Sequence, residues 1–305
     1  MKHWMTSLLG AGLLLSSLAQ AATPLIGVGV AKNNDNFQVL LRNNVQRHAS
    51  SLDADVFMED AQDNGTLQMR QIRNLIASKV DAIIVTAVDM KTAPEMTRLA
   101  NEAKIPLVFI NRNPEPAAWA PQTAFVGSNE IESGTLQMEE LARRANYKGN
   151  VVILVGDPGN KASKIRTEDV ENVVAKYPNM KIVQKTIAHW QRSEAASTVM
   201  DWLKQGVSFD IIAANNDEMA IGAVMGLEKA GKNPKDYLIG GIDGTPDALK
   251  MMDQGKLTVS VLQDAAGQAN GAVEVALHMI RGERVEPVNW VPFKLITPEN
   301  RSQFQ

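Results

Sequence analysis

"FDIIAANNDEM", residues 209–219, is an acid followed by a short apolar run, a polar turn and the start of a helical pattern. The same order stands earlier in the chain, in "VDAIIVTAVDM" (80–90). Each copy leads through a helical stretch and a Lys- or Gly-containing turn to another apolar run, "KIPLVFIN" (104–111) and "DYLIGGID" (236–243). Runs that are apolar at every position fit strands with helices on both faces of their sheet. The echo points to two similar α/β lobes, one after the other.

Working outward, the pattern continues in both directions. Strand candidates are 25–31, 54–59, 82–87, 106–111, 124–127, 150–156, 181–188, 210–214, 237–243 and 257–263. Between them, helical periodicity covers 36–50, 66–78, 92–103, 130–145, 163–176, 193–205, 217–230, 245–254 and 266–281. This alternation reads as βαβ units with parallel sheets. Ten strands are more than one small doubly wound sheet needs, which again gives two lobes.

The first 21 residues stand outside that pattern. They have a basic start at Lys2, an apolar centre from Leu8 to Leu18 and a small-residue end at Ala19-Gln20-Ala21. Those features predict a secretory signal peptide cleaved after Ala21, and hence an exported protein. No later run is long and apolar enough to span a bilayer.

Composition removes several functions. The formal net charge is −3, so no broad basic field invites nucleic acid. Cysteine is absent, which excludes thiol catalysis and cysteine metal sites, and leaves core burial to hold an exported fold without disulfides. His48, His189 and His278 have no metal-ligand spacing. "GVGVAK" lacks the third glycine of a dinucleotide loop, and "GDPGNKAS" misses the P-loop spacing. No cofactor and no enzyme activity are expected.

In doubly wound sheets, ligands sit beyond the carboxyl ends of the strands. The residues at those exits are Asp35 and Phe37, Asn111 and Arg112, Arg166, Trp190 and Arg192, Asn216 and Asp217, Asp243, and Gln263 with Asp264. Carboxylates, amides and guanidinium forks match the adjacent hydroxyls of a small polyhydroxylated ligand. Its C–H faces suit Phe37 or Trp190. Each residue also has a plainer reading. Asp35, Asn36 or Asp217 can cap a helix, Asp243 can serve the turn at Gly244-Thr245-Pro246, and Trp190 can be core. Gln263 can serve a hinge, and Arg192 and Asp217 stay open between the two readings.

The residues then resemble a known family. "ANNDEMAIGA" (214–223), "GGIDGTPDALK" (240–250), "GKLTVSVLQD" (255–264) and "IPLVFINR" (105–112) are similar to the periplasmic sugar-binding proteins of ABC importers, ribose-binding type. "DNFQVLLR" (35–42) and "VFINRNP" (108–114) look like the inositol-binding branch. The resemblance implies a type I periplasmic binding protein: two doubly wound parallel-sheet lobes joined by a three-segment hinge. It places residues 22–127 with 264–291 in the first lobe and 128–263 with 292–305 in the second.

By position, the resemblance implies ligand contacts from Asp35, Phe37, Asn111, Arg112, Arg166, Trp190, Asn216, Asp243 and Gln263. It departs from the ribose type at four places. Asn111 stands for an Asp, Asp35 for an Asn, Gln38 for an aromatic and Ala31 for a Ser. The implied ligand is a monosaccharide, inositol or related polyol, and Asn111 is the expected specificity switch. A membrane permease is the implied partner, a chemoreceptor or signalling receptor the alternative, with the protein a monomer that binds no nucleic acid. A sugar-responsive repressor shares the fold, but a signal peptide occupies the place of its DNA-reading module.

Overall fold

The computed structural model describes residues 22–114 and 119–304, so the leader assigned to residues 1–21 lies outside the described residues. Two parallel sheets organise the chain. The first contains β1 (Leu25–Val30), β2 (Asp55–Asp60), β3 (Ala82–Val85), β4 (Leu107–Ile110), β5 (Thr123–Gly127) and β11 (Val288–Trp290), in the order β11-β5-β4-β3-β1-β2. The second contains β6 (Lys148–Val155), β7 (Asn179–Ile187), β8 (Ile211–Ala214) and β9 (Leu238–Gly240), in the order β7-β6-β8-β9. A small antiparallel pair, β10 (Ser260–Leu262) with β12 (Lys294–Ile296), adjoins the second sheet.

The two sheets wind alike. Each starts on an inner strand, steps to one side and then reverses, at β1 next to β3 and at β6 next to β8. The repeated segments 80–90 and 209–219 supply β3 and β8, which hold the same place in the two windings. Strand order reverses beside them, where a doubly wound sheet opens a crevice.

Alternate residues of each strand face opposite helical layers. In the first lobe, Val28, Ile84, Val108 and Val126 pack with α1 (Asn36–Ser51) and α9 (Ala265–Ile280). Ile83, Val85, Leu107 and Phe109 pack with α2 (Gly65–Ala77) and α3 (Ala93–Glu102). In the second lobe, Val151, Ile153 and Ile211 meet α4 (Ser133–Arg144) and α5 (Lys161–Val174). Val152, Leu154 and Ile212 meet α6 (Arg192–Lys204), α7 (Asp217–Lys229) and α8 (Pro246–Asp253).

The chain passes between the lobes three times: from β5 to α4, from β10 to α9 and from β11 to β12. β11 and β12 are the strands that the apolar pattern misses. Each has three residues, and pairing fixes them: Val288 lies opposite Phe125, and Leu295 opposite Val261. Strands expected over 237–243 and 257–263 are shorter. At the exit of β9, a Cβ on Gly241 would stand 2.3 Å from the Asp217 carboxylate, so the chain there packs against α7.

A cleft lined by the strand exits of both lobes

The exits converge on one cavity of about 250 Å³ between the lobes. Asp35, Phe37, Asn111, Arg112, Arg166, Trp190, Asn216, Asp243 and Gln263 all line it. Gln38, Ser128, Glu130, Lys161 and Trp290 line it too, without having been singled out as contacts. Applied to β5, the strand-exit rule would have reached Glu130, three residues past Gly127.

In the first lobe, Asp35 caps α1. Its backbone is extended, and its carboxylate accepts the Gln38 backbone N–H at 3.0 Å. The cap aims the first turn so that Phe37 is buried in the lobe core while part of it borders the cavity. Asn111 leaves β4 with φ 68°, a left-handed conformation that Asn tolerates better than most residues. Its Nδ2 donates to Gln268 Oε1 at 3.2 Å, and its Oδ1 accepts from Gln38 Nε2 at 3.4 Å. Gln268 Nε2 in turn donates to Ser128 Oγ at 3.1 Å, so a chain of amides runs from the first interlobe passage to the cavity wall.

Arg112 donates from Nη1 to the carbonyls of Ala87 and Val88, at 2.7 and 3.0 Å. Burial lowers its pKa, and the negative charges of Asp63, Asp35 and Asp157 oppose that shift. Those backbone bonds hold the guanidinium over the end of β3. Buried Nε has no protein partner.

The second lobe is organised around Arg166, which is 4% exposed. Its Nε donates to Glu130 Oε2 at 3.0 Å and its Nη1 to the Asn215 carbonyl at 2.8 Å. Its Nη2 donates to Gln263 Oε1 at 3.2 Å, and Asp243 Oδ1 stands 3.7 Å from Nη1. Burial works against its charge, yet Glu130 and Asp243 outweigh it and raise the pKa. For Asp243 burial dominates and holds the carboxyl well above the usual range, although Arg166 pulls it down. The guanidinium carbon also lies 5.8 Å from the centroid of the Trp190 ring, a cation–π arrangement.

Trp190 reaches the cavity because Gly156 has no side chain. A Cβ at Gly156 would come within 2.2 Å of the indole. Asn216 is the N-cap of α7, accepting the Met219 backbone N–H at 3.0 Å, and borders the cavity as well. Capping and cavity lining are therefore compatible at both Asp35 and Asn216.

The two open residues have other work. Asp217 is fully buried behind the cavity wall. It accepts from the Thr245 backbone N–H at 2.7 Å and from Ser260 Oγ at 2.7 Å, which ties the turn after Asp243 to α7. Burial raises its pKa to about 6 against those hydrogen bonds. Arg192 lies outside the cavity lining and forks onto Glu218, Nε to Oε2 at 2.9 Å and Nη2 to Oε1 at 2.8 Å. No cluster of metal-ligating side chains occurs among the described residues. His48 and His189 pair with Glu274 and Glu194.

Most of the two-lobed span, from β1 through α9, corresponds to one known domain. The periplasmic binding protein domain matches residues 26–284. The chain belongs to this family. Periplasmic binding proteins are non-catalytic solute binders, and membership implies a periplasmic location. This periplasmic binding protein is 44% identical over 301 residues to a putative rhizopine-binding protein of Rhizobium meliloti, with 97% of each chain covered. It is 30% identical to a xylitol-binding protein of Mycolicibacterium smegmatis, over 95% of this chain and 81% of the relative. Among solved structures, an ABC transporter solute-binding protein of Bacillus halodurans with bound myo-inositol superposes with a TM-score of 0.87. The two are 39% identical, over 93% of this chain and 98% of that one. The fold and its relatives are those of sugar- and polyol-binding proteins of ABC transporters.

Proposed function

We propose that this protein is the substrate-binding component of an ABC importer. It captures a small uncharged cyclic polyol, an inositol or a close derivative, by closing two lobes around it. The observation that carries this reading is the cleft, where exits from both sheets bring planar hydrogen-bonding groups and three aromatics around one small cavity. Asp35, Phe37, Asn111 and Arg112 serve as the first-lobe contacts, and Arg166, Trp190, Asn216, Asp243 and Gln263 as those of the second lobe.

Charge supports a neutral solute. Asp35, Glu130 and Asp243 stand beside Arg112, Lys161 and Arg166 in the lining, so acidic and basic groups are mixed and neither sign forms a field of its own. A neutral polyol leaves no unbalanced charge when water is excluded. Its hydroxyls both donate and accept, which suits carboxylates and guanidinium forks together. The likeness to the myo-inositol complex favours a ring over a linear alditol.

A bridging ligand has most of its contacts in the closed form, and that difference in affinity shifts the hinge equilibrium. The moving units are 22–127 with 264–291 and 128–263 with 292–305. The membrane permease then reads closure from the rims of both lobes, and the leader is removed after Ala21 on export. A thermal-shift screen of mature protein, refolded free of ligand, tests the reading against inositols, pentoses, hexoses and alditols. Native-state binding raises the midpoint with ligand excess. The inositols are expected to give the largest shift, and a flat response across the panel would overturn the assignment.

A further inference from the structure

Asn36 and Glu218 meet across the mouth of the cleft without lining it. Asn36 begins α1, which packs in the first lobe against α9. Glu218 lies in the first turn of α7, which packs in the second lobe against α6. The Asn36 Nδ2 donates to Glu218 Oε1 at 2.8 Å.

Glu218 is held ready for that bond from its own side. Arg192 grips both carboxylate oxygens, and its Nη2 also donates to Asp247 Oδ2 at 2.9 Å. The Glu218 side chain is 15% exposed and that of Arg192 31% exposed, so the pair is sheltered from solvent without being sealed. Three second-lobe helices, α6, α7 and α8, therefore present one fixed acceptor to the first turn of α1.

We infer that Asn36 and Glu218, with Arg192 as the positioning residue, form a latch that stabilises the closed lobes without touching the solute. The inference rests on the closure proposed above. In an open molecule Glu218 keeps Arg192, and the Asn36 amide returns to water, so neither lobe is left with an unsatisfied group. The latch then adds a modest, ligand-independent bias to the closed state. Through linkage that bias sets affinity for every solute alike and leaves the ranking of solutes unchanged.

The chain has no cysteine, so a pair introduced at exposed Arg47 and Lys229 takes spin labels at those two positions alone. Interlobe distances are then measured without ligand and with myo-inositol, in the parent and in Asn36→Ala and Asn36→Asp. Asn36→Asp is isosteric but puts a second carboxylate beside Glu218. The expected order of closed fraction is parent, then Asn36→Ala, then Asn36→Asp. Affinity for myo-inositol should fall about five- to tenfold in Asn36→Ala and further in Asn36→Asp, with the preference among polyols unaltered. Equal distances in all three proteins, or an Asn36→Asp variant no more open than Asn36→Ala, would overturn the latch. If no polyol binds the parent, the proposed function fails, while the ligand-free distances still decide the latch.

Discussion

Asn111 and Asp243 are counterparts. Each follows the fourth strand of its lobe's winding, β4 or β9, each has positive φ, 68° and 131°, and each lines the same cavity from its own side. The sequence echo that pairs "KIPLVFIN" with "DYLIGGID" ends on these two residues. Their chemistry differs where their places agree. Asp243 stands 3.7 Å from Arg166, whereas Asn111 both donates and accepts within its amide chain.

Asn111→Asp should therefore do more than alter charge. The new carboxylate cannot donate to Gln268 Oε1 and faces it as a second acceptor. An unsatisfied buried polar group costs about 1–3 kcal/mol. Affinity for a cyclic polyol is expected to fall at least tenfold, with a lower unfolding midpoint. Calorimetric titration and thermal unfolding of the same preparation measure the two effects.

Gly156→Ala tests the seat of Trp190. The added methyl has no space beside the indole, so the ring must shift away from Arg166 and the cavity. We expect roughly tenfold or greater loss of affinity in a protein that remains folded, since losing an aromatic face and its cation–π partner is worth on the order of 1–2 kcal/mol. Tryptophan fluorescence should shift in the ligand-free variant. Unchanged affinity would mean that Trp190 is only core.

Asp217 predicts a pH effect of definite sign. Its folded pKa, about 6, lies above the ordinary 3.8, so folding favours the protonated acid. That contribution is fully present below the unfolded value and is lost as pH rises through about 6. Asp217→Asn keeps a neutral group that can serve Thr245 and Ser260. Relative to the parent, its stability should improve from pH 4 to pH 8 by at most about 3 kcal/mol. Denaturant unfolding across that range measures the difference, and a pH-independent difference would contradict it.

Much of the fold was legible because its signals are local. Asp35 and Asn216 each sit between an apolar strand and a helical period, and each caps the helix that follows. The strand-exit rule needed only strand ends and winding, so it reached residues that are far apart in sequence, such as Arg112 and Gln263. It stopped where tertiary pairing decides. β11 and β12 exist through the ladders they join. Asn216 and Asp217 are neighbours of similar chemistry. Which one caps α7 depends on the Asp217 N–H bonding the Ile242 carbonyl at 2.7 Å, a long-range contact. Arg192 likewise finds Glu218 only when α6 packs on α7.

In the proposed complex, Arg166 anchors the polyol in the cleft. Its guanidinium is shared among Glu130, the Asn215 carbonyl and Gln263, a planar fork that a lysine ammonium cannot reproduce. The most direct measurement is calorimetric titration of refolded, ligand-free protein with myo-inositol, beside Arg166→Lys and Arg166→Ala. Single-site binding by the parent, with roughly tenfold or greater loss in both variants, is predicted, because hydrogen bonds to a charged group are worth about 1.5–3 kcal/mol. Full affinity in a folded Arg166→Ala variant, or no binding of myo-inositol to the parent, would contradict it.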